Sequence, residues 1–341
     1  MKNSWKIVTV VVVLLVLFSI TIFFDALNSK KGGIELYTAD AYVPEAESLL
    51  SLFHNDTGCK YDPVTSGGSF SDARTISQGK PASLFMSVSL SAYSSEYMGR
   101  YAPGWALAFA SDHMVIAYGD SVNDNSTAKS IVSDLKNAMS ENNSRLFYEA
   151  FCNLTSGYVK VGISDPLTDP AGGYAWLVLK MAGYLYASNS SLFVNRMAEN
   201  HGNVTRSNAA ELVSPLEFGD IDFLFIYRST AISLKLNYLN LPGNLNLGNV
   251  SYAGFYGKFN YTYSSETVRG TPIFLYMSIV NNGTFHSESV KFISFLLNNT
   301  AILRNFGLAV LHTDILYGNG SGISPLLWGI NHGLIIDGSG G

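Results

Sequence analysis

Charge is scarce in this sequence. Only 14% of its 341 residues are Asp, Glu, Lys or Arg, against roughly 25% in an ordinary soluble domain. Net charge is −5, and no basic block interrupts the chain. Nucleic-acid binding needs clustered Lys and Arg to neutralise phosphates, so it is excluded. Chemistry-bearing motifs are missing too. The histidines (His54, His113, His201, His286, His312 and His332) fall at no metal-ligand spacing. No G-x-S-x-G elbow, phosphate-binding P-loop or H-E-x-x-H is present. An enzyme is therefore not expected, and neither is a cofactor. Only two cysteines occur, Cys59 and Cys152, which allows one disulfide at most. No internal repeat or long low-complexity tract is visible.

Apolar residues make up 47% of the chain, enough to bury a sizeable core, and the length suggests two lobes. Tyr and Phe occur 20 times each. A surface made polar by Asn, Ser and Tyr rather than by charge suits a strongly acidic exterior, where carboxylates are largely protonated. At the N-terminus, Lys2 and Lys6 precede an apolar run from Ile7 to Phe24, long enough to cross a bilayer. A basic start before one such run reads as a signal or signal-anchor, with everything after a short linker (Lys30–Gly33) outside the cell. An uncleaved anchor is expected, because no small-x-small cleavage site follows. N-x-S/T triplets recur from Asn55 to Asn319, as in a glycosylated surface protein.

Further along, strand patterns end in glycine or proline turns that lead into helices. Ile34–Pro44 opens with a strand, and a helix follows with Ala46, Leu49, Leu50 and Phe53 on one face. Lys60–Thr65 and Ser83–Ser89 read as the next strands, with a short helix after Ser69 between them. This β-α-β-α-β order predicts a parallel sheet. Asp112–Asp120 reads as one further strand, and a helix is expected around Ile131–Ser140. A strand, loop and long helix follow over Tyr158–Ala187. Phe223–Tyr227 and Arg269–Val280 are strands. The segment 287–299 is an amphipathic helix with Val290, Ile293, Leu296 and Leu297 inward.

Three of these strand-to-helix turns carry candidate binding groups, since anions bind beyond strand C-termini, against free amides at helix starts. Asp169-Pro170-Ala171-Gly172 is a helix start with Asp169 as N-cap and Pro170 at N1. The same Asp169 and the Ala171 amide could face a ligand. In Ser66-Gly67-Gly68-Ser69, Ser69 either caps the next helix, aided by Asp72, or gives its hydroxyl to an oxyanion. Asp40, after the first strand, is either a turn residue or a cleft residue.

Taken together, "TADAYVP", "TSGGSFSDARTISQGKPASL", "YAPGWALAFASDHMVIAY", "SDPLTDPAGGY", "GDIDFLFIYRSTA", "YLNLPGNLNLGN", "GTPIFLYMSIV" and "SESVKFISFLLNN" resemble the archaeal tungstate/molybdate-binding proteins of ABC importers. These belong to the type II extracellular solute-binding proteins. The resemblance implies an α/β, two-lobed, periplasmic-binding-protein-like fold, each lobe a mainly parallel sheet flanked by helices. It implies residues 1–33 as anchor and linker, 34–117 plus 274–317 as lobe 1, 118–273 as lobe 2 and 318–341 as a tail. A small oxyanion of the molybdate or tungstate kind would sit between the lobes of a monomer that feeds an ABC permease.

The resemblance carries ligand-binding roles to Ser69, Asp169 and Tyr227, with the Ala171 amide beside them. Two positions depart from the family pattern. Asp40 stands where the family has a serine. Ile226 stands where the archaeal proteins have a glutamate that expands the metal's coordination. Arg228 is expected to make a structural ion pair. Cys59 and Cys152 fall in different lobes and are expected to be unpaired. A same-fold receptor for another solute, or a surface glycoprotein that has lost binding, stays open at this point.

Overall fold

A computed structural model describes residues 32–200, 203–264, 266–318 and 336–337. The expected anchor helix (7–24) lies outside these residues, as does nearly all of the expected tail. No described helix is long and apolar enough to cross a membrane.

Two sheets organise the chain. Strands β1 (Leu36–Ala39), β2 (Thr65–Gly67), β3 (Leu84–Ser87) and β4 (Trp105–Asp112) build the first. They are joined by β12 (Ile273–Ile279), β13 (Ala309–Gly318) and β14 (Ile336–Asp337), in the order β14-β13-β4-β12-β3-β1-β2. The second sheet has the order β7-β6-β8-β5-β9, from β5 (Met114–Tyr118), β6 (Val161–Gly162), β7 (Asn203–Val204), β8 (Phe223–Tyr227) and β9 (Asn237–Asn240). A small hairpin, β10 (Asn260–Tyr263) with β11 (Glu266–Arg269), stands apart.

Each sheet is mixed, which corrects the expectation of mainly parallel sheets. β1 lies parallel to β2 and β3, as the β-α-β-α-β reading requires. However, β12 runs antiparallel to both β3 and β4, and β5 runs antiparallel to β8 and β9. The reason is topological: β5 and β12 come straight across from the opposite lobe, with no crossover helix to bring them in parallel.

The apolar run Asp112–Asp120 is likewise not one strand. β4 ends at Asp112 in the first sheet, and β5 starts at Met114 in the second. His113 is thus where the chain passes between lobes, and Gly270–Pro272 is where it returns. By strand pairing Met114–Ala117 sits with the second sheet rather than the first.

The helices follow their apolar stripes. α1 (Val43–Thr57) buries Ala46, Leu49, Leu50 and Phe53 and stops at Gly58, whose φ of 70° suits a residue without Cβ. α6 (His286–Asn299) buries Val290, Ile293, Leu296 and Leu297, and its Phe292 meets Phe53 edge-on at 5.4 Å. α2 spans Ser69–Ser77. α3 (Ser126–Glu141) is longer than the expected Ile131–Ser140, because the Asn125 side chain accepts the Thr127 and Ala128 amides and so starts the helix earlier. α4 (Ser144–Leu154), unforeseen from the sequence, turns Phe147, Ala150, Phe151 and Leu154 inward. α5 (Pro170–Ala187) is apolar nearly all round and correspondingly buried.

Three of the glycosylation triplets begin at Asn125, Asn189 and Asn249, whose side-chain carbonyls accept nearby amides in caps and turns. At those positions the Asn-x-Ser/Thr pattern has a structural reason. Cys59 and Cys152 are separate free thiols.

Candidate functional site

The site forms where three strand ends of the two lobes face one another. β1 ends at Ala39 and the chain turns at Asp40. β2 leads through Gly68 into Ser69, the first residue of α2. β6 leads through a loop to Asp169, the N-cap of α5. The last two turns touch. A Cβ on Gly68 would lie 2.3 Å from the Thr168 carbonyl oxygen, so only glycine allows this approach. Gly172 has a similar role inside the second lobe, where a Cβ would lie 1.9 Å from the Ser164 carbonyl.

Further bonds tie the lobes in this closed arrangement. Arg74 Nη1 donates to the Leu167 carbonyl at 3.2 Å. Tyr174 donates to the Val88 carbonyl at 3.3 Å. Thr230 donates to the Ala41 carbonyl at 3.4 Å.

Asp169 is buried and its two oxygens are engaged. Oδ1 accepts the Ala171 amide at 3.0 Å, and Oδ2 accepts the Ala209 amide at 2.9 Å. The capping reading of Asp169 is therefore correct in geometry. The Ala171 amide, expected as a ligand donor, is committed to that cap. Burial pushes the Asp169 carboxyl up, while the Ala171 and Ala209 amides and the nearby Ser164 hydroxyl oppose this. Ser164 Oγ itself completes no hydrogen bond.

Asp40 differs. Its Oδ1 accepts the Ala41 amide at 2.9 Å, but its Oδ2 is sealed from solvent and has no partner. Burial, and next the Asp169 carboxylate, hold Asp40 well above the usual carboxylate range. Ser69 is fully buried, and its Oγ accepts the Val88 amide at 3.4 Å, which leaves its proton free to donate.

Tyr227 ends β8 and is only 2% exposed. Its ring rests on Tyr42, centroids 5.7 Å apart, and its hydroxyl has no partner. Burial first, then Asp169, Tyr174, Asp112 and Asp40, keep that phenol well above its ordinary range. The structure thus brings Asp40, Asp169 and Tyr227 within mutual electrostatic reach and sets Ser69 at the edge of the same contact. Ile226, alternating to the other face of β8, is fully buried in the apolar core and paired with Val115. Among the described residues Arg228 makes no ion pair, contrary to expectation. Its Nη1 donates to the Gly307 carbonyl at 3.2 Å, because the strand ends against that turn of the first lobe and not against an acid.

Sequence reasoning missed three residues here, Asp112, Tyr42 and Tyr174, and named a fourth, Asp72, only as an aid to a cap at Ser69. Asp112, buried at the passage between lobes, accepts the His113 amide and the Ser229 amide on Oδ1, and the Tyr42 and Ser229 hydroxyls on Oδ2. It thereby holds the first lobe, the crossing and the second lobe to one carboxylate. Asp72, one helical turn into α2, has a buried Oδ2 without a partner, and burial pushes it up to about 8. Tyr174 bridges the lobes through its hydroxyl, whereas the Tyr42 hydroxyl bonds Asp112 within the first lobe and only its ring meets the second lobe, at Tyr227. Nothing local marks Asp112, Tyr42 and Tyr174, since each acts through a partner distant in sequence.

A cavity of about 690 Å³ also opens between the lobes, walled by Phe70, Tyr174, Phe274, Tyr276, Tyr317 and Arg269. It includes none of the five expected site residues. Tyr174 and Val88 form the partition, since the Val88 amide serves Ser69 while its carbonyl serves Tyr174. The closed turns at Gly68, not this cavity, hold the candidate binding groups. Among the described residues no three of His, Cys, Asp and Glu converge as a metal-ligand set.

Residues 34–309 match the family described as bacterial extracellular solute-binding protein. A solute-binding protein of Sulfurisphaera tokodaii is 35% identical over 316 residues, covering 90% of this chain and 83% of the relative. One from Saccharolobus solfataricus is 35% identical over 308 residues, covering 88% and 76%. Among solved structures, the periplasmic molybdate-binding protein of Azotobacter vinelandii superposes with a TM-score of 0.56 at 17% identity. It covers 82% of this chain and 99% of that one. The sulfate-binding protein SubI of Mycobacterium tuberculosis superposes with a TM-score of 0.55 at 15% identity, over 81% of this chain and 85% of that one. These superpositions agree with the two-lobed α/β fold.

Proposed function

The chain belongs to the bacterial extracellular solute-binding protein family, and from that premise we propose that it captures a small tetrahedral oxyanion, of the molybdate or tungstate kind, between its lobes and delivers it to an ABC permease. The observation that carries this reading is the meeting of two helix starts, α2 at Ser69 and α5 at Asp169, across the glycine-tight contact at Gly68. Helix starts favour negative charge. The unpartnered Tyr227 hydroxyl and the free Ser69 proton add donors to the same place. Molybdate- and sulfate-binding proteins share the fold, which supports the same ligand class.

The proposed contacts are Asp40, Ser69 and Tyr227. Asp169 and the Ala171 amide, which bond each other, shape the wall. Residues 7–24 would tether the receptor to the membrane.

Differential scanning fluorimetry with molybdate and tungstate tests the reading. A ligand at 100 times its Kd adds about 2.7 kcal/mol of stability, so the melting temperature should rise. No rise with either anion, at neutral and at acidic pH, overturns it. The unpartnered Asp40 oxygen favours a second reading, a cationic solute, and divalent cations in the same panel separate the two.

A further inference from the structure

We infer that the oxyanion is bound together with one proton, held on Asp40 Oδ2 and shared with the anion, so that Asp40 sets the pH range in which the receptor takes its ligand. This rests on the oxyanion reading above. The argument begins from an asymmetry between two carboxyls. Asp169 has both oxygens occupied by backbone amides at the start of a helix, bonds that oppose the upward push of burial. Asp40 has one oxygen on the Ala41 amide and the other shut away from solvent with nothing to bond.

The titratable groups acting on Asp40 from the surrounding elements are Asp169 at α5, Asp72 in α2 and Glu211 in the short turn before residue 213. All are acidic. Tyr227 of β8 also reaches it. None of the strongest electrostatic neighbours of Asp40 among the described residues is a cation that would hold it ionised.

An anion seated between the lobes here meets a second, independent feature, the Tyr227 hydroxyl, buried, unpartnered and within electrostatic reach of Asp169 and Asp40. That donor gives the ligand a place. An ionised Asp40 would oppose it, because two like charges in contact away from water repel strongly. A proton on Oδ2 removes one of the charges and turns an orphaned acceptor into a donor.

The expected signature is proton uptake on binding. Between the pKa of Asp40 in the free protein and its higher value beside the anion, the Kd should rise about tenfold per pH unit. Isothermal titration with micromolar molybdate from about pH 5 to about pH 9, in buffers of differing ionisation enthalpy, reads both the slope and the proton count. Wild type should take up one proton per anion. Asp40→Asn, which keeps a neutral donor, should show no uptake and a flat Kd. Asp40→Ser serves as a second neutral variant and should also be flat. Equal slopes and equal proton counts in wild type and the two variants overturn the inference while leaving the oxyanion reading standing. Failure of wild type and variants to bind molybdate, tungstate or sulfate at any pH overturns both.

Discussion

Tyr227 carries an unusual burden for one side chain. It closes a fully apolar strand, its ring is packed on Tyr42, and its hydroxyl is buried without a partner. An orphaned buried hydroxyl lowers stability unless something bonds it, and a bound anion would do so. Tyr227→Phe should therefore leave the melting temperature of the free protein unchanged or slightly higher. The same change should weaken molybdate binding by about 1.5–3 kcal/mol, the range for hydrogen bonds to charged groups. A titration with full wild-type affinity in the variant would remove Tyr227 from the site.

At this scale the sequence was partly legible. Asp40, Ser69, Asp169 and Tyr227 stand at strand ends or helix starts, as their local patterns imply. Asp112 was not legible, because a carboxylate becomes a buried hub only through partners such as Tyr42 and Ser229, far away in the chain.

Elements explain how the lobes meet. α2 and α5 can approach only because Gly68 lacks a side chain where the Thr168 carbonyl intrudes. Gly68 itself has an ordinary extended backbone, φ −71° and ψ 144°, so alanine strains no dihedral there. Gly68→Ala should spare the fold of each lobe yet hold the lobes apart. Its radius of gyration in small-angle scattering should stay at the open value when molybdate is added, and ligand affinity should fall. Closure to the wild-type dimension would show that the contact is not what limits it.

The helices with clean 3.6-residue stripes, α1 and α6, were readable in advance, and so was the Asp169 cap. The break between β4 and β5 was not. An apolar run through His113 has the same period whether it stays in one sheet or passes to the next, and only pairing decides.

Across the whole molecule, burial moves carboxyls in one direction. Glu45 and Asp72 are pushed up to about 8, and Asp314 to about 7. Burial also raises Asp40, Asp112 and Asp169. Glu45 is fully buried with neither oxygen bonded. Such groups bind protons more tightly folded than unfolded. In the window between the unfolded carboxyl value of about 4 and the folded values near 8, the native state holds the extra protons. Stability then falls as pH rises through that window and is greatest at its acid end. Melting temperature measured without ligand should increase steadily from about pH 8 to about pH 4. A maximum near neutrality, with loss below about pH 5, would contradict this. The scarcity of charge in the sequence agrees in sense, since few exposed ion pairs among the described residues are there to be lost in acid. Arg145 with Glu149 is an exposed pair on α4, of the sort worth little.

The sequence by itself determined the class of molecule: two α/β lobes, helices where apolar stripes recur, caps where Asp and Asn precede them, and candidate groups at strand ends. The helices and caps follow from local periodicity and short-range hydrogen bonding, and the two lobes from chain length and the resemblance to solute-binding proteins. Tertiary structure alone decided that the sheets are mixed, that the chain changes lobe at His113, and that Asp169 spends its oxygens on amides. It also left one Asp40 oxygen and the Tyr227 hydroxyl without partners in the same closed space. The physical reason is that desolvation and hydrogen-bond satisfaction depend on which distant segments close over a residue.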